Sequence, residues 1–215
     1  GAGSDVDLVL TTRELARMVR AEHIDVEQLT DSPFDDPLGN GSGAGVIFGA
    51  TGGVMEAALR SAYYLTTGEN PAPEAFREVR AAEDESRPWR EAAFDLAGTT
   101  VHCAVASGLA NARQLVRAIK RGEVHYEFVE IMACPGGCAG GGGQPVDGSD
   151  TEKAAQRGDV LFSLDKQAER RFSHENPAVQ ALYSEYLTNP CSERAEALLH
   201  CDHFAWQMPQ TGVRF

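Results

Sequence analysis

Cys134 and Cys138 stand four residues apart in the stretch MACPGGCAGGGGQP, residues 132–145. Thiolates are soft ligands, and paired thiolates suit zinc or an iron–sulfur cluster. The glycines around them let backbone amides approach a bound group closely and point at its sulfurs, which tunes its potential. A structural zinc site would need two further ligands at comparable spacing. Cys103, Cys191 and Cys201 lie apart and offer no second pair, which argues against zinc. The bland reading of the same residues is a tight turn with two incidental cysteines, and spacing alone does not separate the two.

Other candidates carry less. GAGVIFGATGG, residues 43–53, invites a nucleotide reading but lacks the Gly-Lys-Ser/Thr of a phosphate loop. Phe48 also stands where a dinucleotide fingerprint needs glycine. The segment reads instead as a crowded strand-to-helix turn whose backbone something approaches closely. His200 and His203, with Cys201 between them, sit at a helix end with no partner cluster. His174 in SHENP reads as a packing or capping histidine. No Ser/His/Asp or Cys/His set can be assembled, so no catalytic residue is assigned.

The elements that must position the cysteines follow from pattern. Asp5–Leu10 alternates toward a short strand, and Thr11-Thr12-Arg13-Glu14 fits a capping box that opens a helix to about Glu22. Residues 31–45 are a loop rich in Asp, Pro and Gly. Gly45–Phe48 reads as a short buried strand, leading through glycines into the helix VMEAALRSAYYL, apolar on most sides and ending near Gly68. After a charged excursion over 69–92, strands are predicted at Phe94–Leu96 and Thr100–Val105 with a hairpin turn at Gly98. Asn111–Lys120 has helical periodicity and stops at Gly122, and Tyr126–Met132 is a strand that delivers the cysteines. The fold class is α/β: one lobe over 5–145 with a short, mainly parallel sheet flanked by helices. Residues 146–215 form a helical extension packed on it, with helices after Asn176-Pro177 and from Ser192 to about His200. Gly1–Ser4 reads as a linker remnant.

Composition bounds the function. Nineteen basic residues against thirty-two acidic leave a net charge of −13, which repels phosphate backbones and anionic lipid, so neither nucleic acid nor membrane is expected as a partner. No apolar run approaches a membrane span. Paired thiols outside a disulfide pattern suit a reducing compartment, so the cytoplasm is expected.

The residues carry a resemblance. FVEIMACPGGCAGGGGQP resembles the third signature of the iron-only (FeFe) hydrogenases, and GAGVIFGATGGVMEAALRSAY is similar to that family's glycine-rich segment and following helix. DLVLTTREL is similar to the stretch after the second signature, and RFSHENPAVQALYSEYL to the region some relatives carry as a small subunit. The resemblance implies an H-cluster: a four-iron cubane linked by a thiolate to a two-iron unit with carbonyl, cyanide and a bridging dithiolate amine. By match, Cys134 and Cys138 would both ligate the cubane, and Cys138 would bridge to the two-iron unit. Met132 would pack against that unit, and Phe48 and Gly49 would line the cavity. The implied reaction interconverts dihydrogen with two protons and two electrons, with a ferredoxin-type carrier as electron partner.

The family's first two signatures, with two more cubane cysteines, a lysine that contacts cyanide and a proton-shuttling cysteine, are not among these residues. Two thiolates cannot hold a cubane that needs four. The chain alone is therefore expected to be inactive and free of metal, its partner being the polypeptide that carries the other half. Its cluster-facing surface should be exposed, and either homodimerisation through that face or disorder of Phe48, Met132 and the glycine loops is expected. Two alternatives stay open: an iron–sulfur delivery protein and a hydrogen sensor. Gly136, in place of a serine variant, and the terminal TGVRF without tryptophan speak against delivery.

Overall fold

The computed structural model describes residues 6–33, 35, 38–39, 41–80, 87–146 and 153–201. Gly1–Ser4, Asp5 and His203 lie outside them. Strand β2, Thr99–Ser107, is the centre of the lobe, and Cys103–Ser107 is buried throughout. Burial on both faces is what an uninterrupted run of small and β-branched residues, CAVAS, permits. Cys103 and Val105 pack with Met55, Leu59, Phe76, Val79 and Leu96. Ala104 and Ala106 pack on the other side with Leu115.

The sheet has the order β1-β2-β3. β1, Arg90–Leu96, pairs antiparallel with β2 across the expected turn at Gly98. β3, Phe128–Met132, runs parallel to β2, joined through helix α4, Leu109–Lys120. The α/β class holds, with the parallel pairing in β2–β3 and an antiparallel strand added at the β1 edge. Helix α1, Thr12–Ala21, starts on the complete Thr11–Glu14 capping box, and none of its residues is buried. Helix α3, Gly53–Thr67, is the expected buried helix and stops at Gly68.

Three expectations need correction. Val6–Leu10 is not a strand but irregular and exposed, because no strand among the described residues offers it a partner. Gly45–Phe48 is not a strand either. Helix α2, Gly43–Val46, and a 3-10 turn, Ile47–Gly49, occupy it, so the segment packs as helix while still burying Ala44 and Ile47. The extension holds an unforeseen third helix, α5, Ala154–Gln167, besides α6, Pro177–Ala181, and α7, Glu193–Leu199. α5 fully buries Ala154, Gly158 and Asp165 and half-buries Leu161 and Phe162, while Val160 and Leu164 are exposed, so no clean apolar period marks the helix. The N-caps Asn176 and Ser192 are as read, and α6 continues as a π-helix over Leu182–Leu187.

Charges join the extension to the lobe. Arg60 on α3 donates to both carboxylate oxygens of Asp165 on α5, at 2.9 and 2.8 Å, and to Glu56 at 2.7 Å. Arg171 adds a 2.7 Å bond to Asp165, and Arg80 pairs with Glu56 at 2.9 Å. Burial works to raise the Asp165 pKa, but the hydrogen bonds from Arg60 and Arg171 outweigh it and hold the carboxyl below its ordinary 3.8. Asp165→Asn would leave buried cations uncompensated and should destabilise the chain by about 3–5 kcal/mol in urea unfolding at neutral pH. A lowered folded pKa stabilises above the unfolded value and loses that contribution as pH falls through the folded one. The gap between wild type and Asp165→Asn should therefore close as pH drops below 3.8, and a constant gap would refute the ionic account.

Candidate functional site

The parallel strands β2 and β3 end side by side, Ser107 opposite Met132. In open α/β sheets the carboxyl ends of the strands are where ligands are met. Here the chain leaves β3 straight into the Cys134–Cys138 turn, and both strand ends grip it. The Gly108 N–H donates to the Met132 carbonyl at 2.8 Å, and the Gly136 N–H donates to Ser107 Oγ at 2.8 Å. Inside the turn the Gly137 N–H donates to the Cys134 carbonyl at 3.0 Å. Cys138–Gly140 then forms a 3-10 turn, closed by the Gly141 N–H on the Cys138 carbonyl at 3.1 Å. Cys134 is half-buried, Cys138 exposed, and both are free thiols.

The close approach expected at GATGG is made by Gly137. A Cβ on it would stand 2.7 Å from the Gly49 carbonyl oxygen and 2.8 Å from the Thr51 nitrogen, and its φ of +88° is left-handed. Glycine alone meets both demands. At Gly141 the place of a side chain is taken by the Cys134 sulfur itself. The opposing turn is held from below: Glu130 on β3 accepts from the Gly52 and Met55 N–H groups, each at 2.7 Å. That carboxylate satisfies two of the amides a helix N-terminus leaves free and complements its dipole.

Helix α5 backs both turns. Ala154 lies against Gly136, Leu161 against Gly49 and Gly158 against Ala50. Arg157 donates to the Ala139 carbonyl at 3.0 Å and to the Pro145 carbonyl. Gly49, Cys138, Ala139, Gln144, Arg157, Val160 and Leu161 surround a cavity of ≈ 430 Å³.

Of the residues singled out from sequence, Gly49 and Cys138 share that cavity, and Cys134 sits in the same turn. Phe48 is 47% exposed and Met132 half-buried at the end of β3, and neither lines the cavity. Sequence reasoning missed Ser107, Glu130 and Arg157. Glu130 had a signal, a lone carboxylate inside an apolar strand; Ser107 and Arg157 had none until α5 and the strand register were known.

The remaining candidates stand apart. Cys103 is a core thiol, pushed up to about 11 by burial and then by the charge of Glu127, which makes it a poor nucleophile and ligand. Cys191, Cys201 and His200 are exposed, and His200 faces Glu196 at 3.8 Å. His174 packs, as read: it stacks on Tyr64 at 4.1 Å, and its ring nitrogens bond Ser61 and Asn70. Burial lowers its pKa against the opposing charge of Glu175.

The donor set tests what the turn could hold. Among the described residues no group of three or more His, Cys, Asp or Glu side chains could hold a metal ion. A four-iron cubane takes four cysteines, so the chain's own described residues fit one half of such a group and not the whole. No helix among them is long and apolar enough to cross a membrane.

Comparison with known proteins places this geometry. The family profile "Iron only hydrogenase large subunit, C-terminal domain" matches residues 1–142, and "Iron hydrogenase small subunit" matches residues 151–206. The chain therefore belongs to the iron-only hydrogenase family. It is 45% identical over 203 residues, 94% of its length, to the NADP-reducing hydrogenase subunit HndD of Solidesulfovibrio fructosivorans, and covers 34% of that protein. Cytosolic iron-sulfur assembly component 3 of Mus musculus is 33% identical over 97% of the chain, which covers 43% of it. A variant of the [FeFe]-hydrogenase HydA1 from Chlamydomonas reinhardtii superposes with a TM-score of 0.66 at 36% identity, over 90% of this chain and 54% of that one. The chain thus spans less than half the length of these curated relatives. Complete enzymes of the family carry the H-cluster.

The backbone seat makes a prediction. Gly137→Ala combines a left-handed residue with a clash on backbone that cannot swing aside, and should destabilise the chain by about 2–3 kcal/mol by chemical denaturation. Gly142→Ala, with φ of +60° but nothing within 4 Å of its missing side chain, should lose about half of that. Equal losses would mean the packing against 49–51 carries nothing.

Proposed function

We propose that these 215 residues form the C-terminal part of the catalytic domain of an iron-only hydrogenase. Cys134 and Cys138 would supply two of the four thiolates of the cubane, and Cys138 would also join it to the two-iron subcluster. The single observation that carries this reading is the Cys134–Cys138 turn, seated at the carboxyl ends of β2 and β3 and fixed there by Ser107, Gly108 and Gly137. Rigid presentation of paired thiolates is what a bulky inorganic group requires, since loosely held ligands forfeit affinity to chain entropy. Met132 would pack against the two-iron subcluster, and Phe48 and Gly49 would line the space the cluster takes.

The cluster, when bound, supplies the redox chemistry that interconverts dihydrogen with protons and electrons. The chain's own residues present thiolates, exclude side chains from the space the cluster takes and hold the turn still. The other thiolates come from a polypeptide that meets this surface, and a ferredoxin-type carrier in the cytoplasm exchanges the electrons. A second reading, iron–sulfur cluster delivery, is favoured by the likeness to the assembly component of Mus musculus, at lower identity than to HndD.

Anaerobic reconstitution with iron and sulfide tests the assignment. The chain alone should hold no stoichiometric four-iron cluster and evolve no hydrogen. Together with a polypeptide matching the part of HndD that it leaves uncovered, it should give a four-iron paramagnetic signal that Cys134→Ala or Cys138→Ala removes. After the two-iron subcluster is installed, hydrogen evolution marks a hydrogenase, whereas cluster transfer without it marks delivery. A signal indifferent to both cysteine variants would overturn the ligand assignment.

A further inference from the structure

The loop that follows Cys138 is held by main-chain bonds and has few side chains of its own to pack. Gly140 to Gly143 carry no side chains, and glycine loses more backbone freedom on ordering than any other residue. Yet Cys138 is exposed, so packing does not fix it. Its own turn bonds close it locally, the Thr12 N–H donates to the Gly142 carbonyl at 2.9 Å, and one side chain spans it from end to end. Arg157 sends one guanidinium nitrogen to the Ala139 carbonyl at 3.0 Å and the other to the Pro145 carbonyl. A planar fork of N–H groups in fixed geometry can bridge two carbonyls in this way, where a lysine ammonium holds one at a time.

Arg157 is itself fixed. Ala154, Gly158, Leu161 and Asp165 lie along one stripe of α5, at helical spacing, and all four face the lobe. Asp165 anchors the far end of that stripe on Arg60. Arg157, at the near end, lines the cavity beside Cys138. It belongs to the part of the chain that matches the small-subunit profile, whereas Ala139 belongs to the part that matches the large-subunit profile.

We infer that Arg157 is a positioning residue for the thiols: the small-subunit-like region clamps the Cys138 loop through it, and so sets how well the pair binds metal. This rests on the reading of Cys134 and Cys138 as ligands. Groups hydrogen-bonded to a ligand itself are worth about 10–100-fold in metal affinity, and Arg157, bonded one residue from Cys138, sits at the low end of that range.

The test uses the reduced full chain titrated with excess Co²⁺ alone, which two thiolates completed by water bind weakly, read by its thiolate charge-transfer absorption together with amide hydrogen exchange. Arg157→Gln should weaken Co²⁺ binding about tenfold and speed exchange at residues 137–141 about tenfold. Exchange in α3 should not change. Arg157→Lys should fall between wild type and Arg157→Gln in both readouts. Arg157→Gln matching wild type in both would overturn the clamp. If Arg157→Gln does not fold, Arg157→Lys decides: intermediate exchange supports the clamp, and wild-type exchange refutes it. The double variant Cys134→Ala, Cys138→Ala separates the two layers, because unchanged Co²⁺ binding there would sink the ligand reading itself.

Discussion

The site depends on a contact between two stretches of main chain. Gly137 lies on the backbone of Gly49–Thr51 with no side chain between them, and every neighbouring element is placed to keep them together. Glu130 holds the 49–52 turn at the start of α3, and Ser107 and Gly108 hold the cysteine turn at the ends of the strands. α5 closes the arrangement from the side. Hydrogen bonds to carboxylates and buried hydroxyls are worth most where water is excluded, and Ser107 and Glu130 are both buried.

The union of lobe and extension is ionic as much as apolar. Arg60 sits under Glu56 and Asp165 with almost no exposure, and Arg80 meets Glu56 while stacking over Phe162 at 4.6 Å. Such a network contributes little net stability compared with well-packed hydrophobic residues. It is exacting about geometry, however, since each buried charge must find its partner. A helix secured in this way has one register against α3, which its small buried residues alone would not dictate.

Much of this was legible in the sequence, and the limits were physical. The capping boxes and N-caps at Thr11, Asn176 and Ser192 stood out because local hydrogen bonding decides them. The β1–β2 hairpin, α3 and α4 stood out because apolar period and glycine stops agreed. The cysteine turn was found by residue type and spacing. Gly45–Phe48 misled because a short apolar run reads alike as strand or buried helix until its packing partner is known. Val6–Leu10 misled because alternation marks a willingness to pair and supplies no partner. α5 was invisible because its fully buried residues are Ala154, Gly158 and Asp165, while its large apolar residues are split between the half-buried Leu161 and Phe162 and the exposed Val160 and Leu164. Glu130, Ser107 and Arg157 reach the site across 78, 29 and 18 residues of sequence, a distance that no local pattern spans.

The exposed stretch from Val6 to Leu29 has a consequence for how the molecule behaves among its own kind. Val6, Leu8, Val9, Leu15, Met18, Ile24, Val26 and Leu29 all face solvent on a chain whose net charge is −13. At low ionic strength, like charge keeps such particles apart beyond the reach of apolar attraction. Near 0.15 M the screening length contracts to about 8 Å, so the acidic surface is felt over a shorter range around this apolar stretch. Added salt, which loosens contacts held by ion pairs, leaves any contact made through this apolar stretch unweakened.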